Sequence, residues 1–212
     1  MEENKFVQYG CGIKAPVEWI NYDASPTLSV QKMFLLGTIV KKYLNVVFPD
    51  NVKYGDIIKG LPEPDNSCAG VYCSHTLEHL SLEDFRKALR NTYKILKPGG
   101  VFRCVVPDFE WAARVYIKAY DDGNAGASLD FLNETLLGTH QRKRGIKGIL
   151  TSVFGNSRHL WMWDKKSLAR ELGEAGFRDI RTCSFNDAES TMFTQVEEKG
   201  RFLNAVAIEC RK

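Results

Sequence analysis

Two glycines follow the first apolar run of this chain, and an acid ends the second. Gly10 and Gly12 come after the predicted strand Lys5–Tyr9, and Asp23 ends the apolar run that begins at Trp19. Glycine lets the backbone approach a ligand closely, because it carries no Cβ. An acid at the tip of the neighbouring strand can accept hydrogen bonds from ribose hydroxyls. The pair predicts a nucleoside site at the edge of an open α/β sheet.

The spacing between these motifs indicates which nucleoside ligand fits. A dinucleotide site needs a full helix after the glycines, with its N-terminus on the pyrophosphate. Only residues 13–22 separate Gly12 from Asp23, and Pro16 interrupts them, so a helix that recrosses the sheet does not fit. The short crossover therefore favours a nucleoside cofactor without phosphate over NAD or FAD.

Apolar runs alternate with amphipathic stretches along the chain, which predicts a mostly parallel sheet covered by helices. The predicted strands that follow the first are 19–22, 52–54, 70–73 and 101–106, and the pair 180–184 and 203–209 is expected to form an edge hairpin. The predicted helices are 27–44, 81–96, 110–121 and 166–175, with Asp164 as the N-cap of the last, Gly176 after its end, and a turn at 97–100.

Composition limits the classes of protein to consider. The 212 residues, of which 44% are hydrophobic and 26% charged, predict a single domain spanning residues 1–212. A net charge of +3 gives little support to a nucleic-acid partner. The N-terminus lacks the pattern of a signal peptide, no apolar run is long enough to span a bilayer, and the six cysteines form no CxxC pair. We therefore expect a cytoplasmic protein with no membrane partner.

Residues 109–158 depart from the alternating pattern. They contain two helical pieces and a basic stretch, and we interpret them as a lid-like helical insertion near the ligand-binding edge. The stretch carries Arg142, Lys143, Arg144 and Lys147. These cations would suit an anionic acceptor, such as a sugar nucleotide or a phosphorylated glycan, or would form a solvated loop.

Several motifs in order resemble one family, the class I S-adenosylmethionine-dependent methyltransferases, in particular its small type 11-like group. They are Gly-Cys-Gly, Trp-Ile-Asn-Tyr-Asp, Leu-Pro, Leu-Glu-His and Leu-Lys-Pro-Gly-Gly, and the likeness covers residues 6–107 and 159–177. The resemblance implies an α/β, Rossmann-like three-layer fold whose mostly parallel sheet has seven strands, the last one antiparallel. It also implies S-adenosyl-L-methionine as cofactor.

The resemblance assigns cofactor contacts to individual residues. Gly10, Cys11 and Gly12 would line the methionine part of the cofactor. Asp23 would hold the ribose, with Ala24 and Ser25 beside it. Asp56 and Ile57 would contact the adenine. Gln8 stands where many members have an acid, so it offers the ammonium of the cofactor no charge. The complete expected set is Gln8, Gly10, Cys11, Gly12, Asp23, Ala24, Ser25, Asp56, Ile57, Ser74 and His75.

Methyl transfer is an in-line displacement, and much of its catalysis comes from holding the acceptor in place. A general base is needed when the acceptor is a protonated hydroxyl or amine. The candidates are His75, His79, Asp108 and His159. His79 and His159 would otherwise only pack. We expect a small-molecule or glycan-type acceptor, with oxygen as the favoured nucleophile.

Two alternatives remain. The segment His75-Thr76-Leu77-Glu78-His79 matches HxxEH, a zinc-peptidase pattern in which two histidines bind metal and the glutamate activates water. A third ligand does not stand out, and the same residues match Leu-Glu-His of the methyltransferases, so no metal ligand is predicted. The second alternative is a non-catalytic module that binds the nucleoside.

Overall fold

A computed structural model of the chain describes residues 4–32, 47–140 and 158–212. The strands are β1 Lys5–Tyr9, β2 Ile20–Asp23, β3 Val52–Tyr54, β4 Cys68–Ser74, β5 Leu96–Pro107, β6 Arg178–Thr182 and β7 Ala205–Arg211. The α-helices within these ranges are α1 Pro26–Gln31, α2 Leu82–Ile95, α3 Phe109–Asp121, α4 Ala127–Glu134 and α5 Lys165–Glu174. Three short 3-10 helices lie at Leu77–His79, Thr191–Gln195 and Lys199–Phe202.

The seven strands form one sheet in the order β3-β2-β1-β4-β5-β7-β6. The first five strands pair in parallel, whereas β7 runs antiparallel to both β5 and β6. This confirms the Rossmann-like α/β class and the antiparallel last strand. The strand order reverses between β1 and β4, and ligands of open α/β sheets bind outside the carboxyl ends of the strands at such a point.

Both faces of the sheet are buried, as the apolar strands require. One face packs against α2 and α5, with Phe85, Leu89 and Leu168 fully buried in that layer. The other face carries Trp19 and Phe193, whose rings meet with centroids 5.5 Å apart. Each such side chain stabilises the fold by about 1.5–3 kcal/mol on burial. The core thereby fixes where the strands end, and with them the site.

The boundary between α2 and β5 differs from the prediction. The helix ends at Ile95, and β5 begins at Leu96 instead of after a turn. Leu96 pairs with Cys68 and the next pairing is at Val101, so residues 97–100 form a bulge within the strand. Gly99 at a φ of 77° permits it.

Helix capping follows the prediction more closely. Asp164 caps α5 and forms a capping box with Ser167, and Gly176 follows the helix with a φ of 102°. α1 begins at Pro26 after the N-cap Ser25, and the predicted continuation to residue 44 lies largely outside the described residues.

The proposed insertion contains α3 and α4, which enclose a groove of about 620 Å³ lined by Trp111 and Phe131 among others. The basic residues of the predicted insertion, 142–144 and 147, lie outside the described residues. Within the described ranges, no helix is both long and apolar enough to cross a membrane.

Candidate active site

A cavity of about 630 Å³ opens at the carboxyl ends of the first four strands. Its volume lies within the range of small-molecule sites, roughly 300–1,000 Å³. The structure brings together most of the predicted cofactor residues there. Those that line the cavity are Gly10, Gly12, Asp23, Ala24, Ser25, Asp56, Ile57 and His75.

Gly10 cannot carry a side chain in this fold. A Cβ built on it would lie 2.0 Å from Oγ1 of Thr76, and its φ is 63°, a conformation that favours glycine. Thr76 also lines the cavity. The glycine therefore lets β1 and the segment after β4 approach each other beside the ligand.

The Asp23 carboxylate holds the glycine turn and remains available to a ligand. Its Oδ2 accepts from the amide of Gly12 at 3.0 Å, and Oδ1 accepts from the amide of Ser25 at 2.7 Å. An ionised carboxylate offers about four acceptor positions, so two remain after these bonds. The residues present therefore fit a ribose whose two hydroxyls donate to this acid.

Asp56 and Ile57 lie on the same wall, after β3. Oδ1 of Asp56 accepts from the amide of Ile58 at 3.0 Å, which fixes the carboxylate at the rim. Ile57 is buried and offers an apolar surface. An acceptor beside an apolar side chain suits the amine and the ring of adenine.

Three predicted cofactor residues do not line the main cavity. Gln8, Cys11 and Ser74 line an adjoining cavity of about 20 Å³, which shares Gly10 with the main one. Gln8 donates from Nε2 to the carbonyl of Lys14 at 2.7 Å, so it supports the glycine turn from behind. Burial, with the nearby Asp23 charge, raises the pKa of Cys11 to about 12, which keeps it a thiol.

A buried carboxylate and three imidazoles meet at one wall of the main cavity. The Glu78 side chain is 1% exposed, and its Oε1 lies 3.6 Å from Nδ1 of His75. The same oxygen lies 4.0 Å from Nε2 of His79 and 3.9 Å from Nε2 of His159. His75 and His79 line the cavity. The ring of His159 packs against the ring of His79, and the two ring centroids are 5.0 Å apart. We call these four residues the Glu78 cluster.

Backbone hydrogen bonds assemble this cluster from distant segments. The Glu78 carbonyl accepts from the amides of Leu160 at 2.8 Å and Trp161 at 3.1 Å. The Nδ1 atom of His79 lies 2.9 Å from the Arg158 carbonyl. Since a carbonyl only accepts, Nδ1 carries a proton, and the other ring nitrogen, Nε2, lies towards Glu78. The segment at 158–161 is thereby fixed against the 3-10 helix Leu77–His79.

The cluster is electrostatically unusual. Burial raises the pKa of Glu78 to about 8. Burial, and next the charge of His79, lower the pKa of His159 to about 4, and burial lowers the pKa of His75. Neither carboxylate oxygen of Glu78 has a hydrogen-bond partner among the described residues. Perturbed groups in a cleft are typical of functional sites.

Asp108, the fourth catalytic candidate, lies elsewhere. Its Oδ1 accepts from the amide of Glu110 at 2.8 Å and thereby caps α3, and it does not line the cavity. An acid directly before a helix is a common N-cap, so the capping interpretation was available from the sequence.

Sequence reasoning missed Arg201, which lines both cavities. It lies on the 3-10 helix Lys199–Phe202, and its carbonyl is 2.8 Å from Nε2 of His75. Its guanidinium pairs with Glu198 at 3.1 Å. No local pattern marks this residue, because only the fold brings the C-terminal segment to the ends of β1 and β4.

Comparisons with known proteins agree with this geometry. A family model described as a methyltransferase domain matches residues 13–182. The chain is 44% identical over 48 residues to "Probable methyltransferase ltbC" of Aspergillus luteorubrus, a match that covers 22% of this chain and 17% of that protein. The chain thus spans well under two thirds of the length of this curated relative.

Solved structures show the same fold. A SAM-dependent methyltransferase of Thermotoga maritima, described as a possible histamine N-methyltransferase, has a TM-score of 0.51 at 19% identity, over 100% of this chain and 84% of that chain. A SAM-dependent methyltransferase of Archaeoglobus fulgidus has a TM-score of 0.51 at 18% identity, over 99% and 86%. The family match covers most of the chain and the cavity suits the cofactor. The chain therefore belongs to the family of methyltransferase domains, as a class I member whose cofactor is S-adenosylmethionine.

Proposed function

We propose that this chain methylates a small-molecule or glycan-type acceptor at an oxygen. The observation that carries the proposal is the cavity with Asp23 on one side and His75 and His79 on another. When bound, S-adenosylmethionine would supply a methyl group activated by its sulfonium: the acceptor oxygen would bond to the methyl carbon as the carbon–sulfur bond breaks, and the bonding electrons would stay on the sulfur of S-adenosylhomocysteine. The proton of the acceptor hydroxyl must then go to a base.

His75 is the base that this proposal favours. Its Nε2 lies 2.8 Å from the Arg201 carbonyl and so carries the proton, which leaves Nδ1 able to accept one. The lowered pKa of His75, caused first by burial, keeps the ring neutral at physiological pH. A neutral imidazole at the wall of the cofactor cavity can take the acceptor proton.

Arg201 places a positive charge at the main cavity, and Lys14 joins it at the adjoining one. The methionine part of S-adenosylmethionine ends in a carboxylate, and Arg201 lines both the main cavity and the adjoining one beside Gly10. We assign this guanidinium to the carboxylate of the cofactor.

The size of the cavity supports a small-molecule acceptor, and a net charge of +3 gives little support to a nucleic-acid acceptor. An anionic acceptor remains a prediction that depends on the basic residues of 141–147.

Calorimetric titration tests the cofactor part. S-adenosylhomocysteine should bind wild type, and Asp23→Asn should weaken binding by about 10- to 100-fold, because a hydrogen bond to a charged group contributes roughly 1.5–3 kcal/mol. Arg201→Met should weaken binding of S-adenosylhomocysteine but not of 5′-methylthioadenosine, which lacks the amino acid part. Equal losses for both ligands would contradict the assignment of Arg201.

A turnover assay tests the reaction. S-adenosylhomocysteine release is measured with a panel of hydroxylated small molecules and glycans. His75→Ala should slow turnover by about 100-fold or more at nearly unchanged cofactor affinity, in the usual range for a lost general base. Cofactor binding with no turnover on any acceptor would instead support the non-catalytic nucleoside-binding module.

A further inference from the structure

Glu78, His79 and His159 place three metal-binding donors around one point. One ligand atom from each lies within 4.8 Å of the others. The distances of 3.9 and 4.0 Å from Oε1 to the two imidazoles are somewhat wider than the about 3.3 Å of a tetrahedral site with 2.0–2.1 Å bonds. Shifts of less than about 1 Å in each side chain would bring the three ligand atoms to the spacing of a metal site.

The carboxyl group of this triad has no hydrogen-bond partner among the residues that the structure describes. Glu78 is completely buried, and both of its oxygens lack a hydrogen bond within these ranges. An unsatisfied buried polar group costs about 1–3 kcal/mol, and more if charged, so buried charges are paired or coordinate metals. The two unpartnered oxygens are therefore available as ligands to a cation.

The hydrogen bond that orients His79 is of the kind that metal-binding histidines make. Metal-binding histidines commonly donate their other ring N–H to a backbone carbonyl, which fixes the tautomer and orients the ring. Nδ1 of His79 meets the Arg158 carbonyl at 2.9 Å, which leaves Nε2 free towards Glu78.

We propose that Glu78, His79 and His159 form a divalent transition-metal site at the edge of the cofactor cavity. Two imidazoles and a carboxylate are the donor set of catalytic zinc sites and of non-haem iron(II) sites. Three protein ligands leave a coordination position open, and His79 places the site beside the cavity. His75 stays outside the donor set and remains available as a base. The site goes beyond the methyl transfer proposed above and does not depend on it.

The sequence argued against such a site because a third ligand was missing from the HxxEH segment. The fold supplies the third ligand, which is His159. The two histidines of the proposed site are therefore His79 and His159, instead of the His75 and His79 of the HxxEH pattern. The glutamate of the segment becomes a ligand, so zinc-peptidase chemistry, which needs that glutamate as a base, is not part of the proposal.

Zinc chloride is the probe, with no cofactor and no acceptor present. Chain without a histidine tag is stripped with a chelator, dialysed and titrated by calorimetry, and bound metal is then measured by mass spectrometry. We expect about one zinc per chain. Glu78→Gln and His159→Ala should each weaken zinc binding by about 100-fold or more. Even the loss of a residue that only orients a metal ligand weakens metal binding by about 10- to 100-fold.

His140→Ala is the matched control, because His140 is exposed and lies outside the cluster. It should bind zinc like wild type. Circular dichroism and S-adenosylhomocysteine affinity check that Glu78→Gln and His159→Ala are folded, since neither residue lines the cofactor cavity. Substoichiometric zinc in wild type, or equal binding by all variants, would overturn the site.

Cobalt(II) gives a second readout. Cobalt in a site with few ligands absorbs strongly in the visible, and the band should appear with wild type and be lost in His159→Ala. Zinc binding without methyl transfer on any acceptor would leave this inference intact and count against the proposed function, so the two can fail separately.

Discussion

Two groups of buried ionisable side chains in this molecule differ in the hydrogen bonds that they form. Arg103 is fully buried in β5 and donates to Glu197 at 2.8 Å, Glu209 at 2.7 Å and Asp187 at 3.0 Å. Glu78, equally buried, has no hydrogen-bond partner for either oxygen within the described part of the chain. The first group we call the Arg103 cluster.

The location of each cluster explains the difference. The Arg103 cluster lies on the Phe193 face of the sheet, where the guanidinium stands 5.6 Å from the centre of that ring. All three carboxylates accept hydrogen bonds from Arg103, and Glu209 and Asp187 accept further ones from Arg181. Such pairing and hydrogen bonding offset the cost of burying charged groups. The Glu78 cluster borders the cofactor cavity, where a ligand can complete it. A buried ionisable side chain that is fully hydrogen-bonded within the protein indicates a structural role. A buried ionisable side chain beside a cavity that forms no hydrogen bond indicates a role in binding.

The largest expected effect comes from breaking the Arg103 cluster. Arg103→Met leaves Glu197 and Glu209 buried without their main partner, and removing one member of a buried pair typically costs about 3–5 kcal/mol. Urea denaturation should show this loss of unfolding free energy. Adding Glu197→Gln should restore part of it, because one uncompensated charge is then removed. A loss below about 1 kcal/mol would show that the cluster is not structural.

The Glu78 cluster should respond in the opposite way. Glu78→Gln should leave the unfolding free energy within about 1 kcal/mol of wild type, since it removes no made hydrogen bond. Zinc at about 100 times its dissociation constant should stabilise wild type by about 2.7 kcal/mol, or about 5–10 °C in Tm. Scanning calorimetry should find that shift in wild type and not in Glu78→Gln. A large loss of unfolding free energy in Glu78→Gln without zinc would show that Glu78, like Arg103, has a structural role.

The smallest effect should come from Asp108, an acid that the sequence made a catalytic candidate. Asp108→Ala should cost about 1 kcal/mol through the lost N-cap, while Asp108→Asn should cost almost nothing, because asparagine caps equally well. Denaturation and turnover are measured for both variants. A sharp fall in turnover for Asp108→Asn at unchanged stability would return Asp108 to the catalytic group.

Local patterns predicted much of the fold and of the cofactor site. Gly10, Gly12 and Asp23 line the cavity as expected, because each follows a strand and parallel strands end at one edge. The bulge at residues 97–100 was not predicted, since the same Pro-Gly-Gly sequence suits a turn or an irregular strand.

Sequence by itself determined the order of elements, the helix caps and the nucleoside edge, because these depend on neighbours a few residues apart. Only the tertiary structure decided which donors meet. Arg201 reaches His75, and His159 reaches Glu78, through contacts between segments far apart in the chain. Burial of Glu78 is also a tertiary property, because the sequence HxxEH does not show whether its glutamate is exposed or buried. The chemistry of the site follows from that burial, because desolvation and missing partners arise only when the chain is packed.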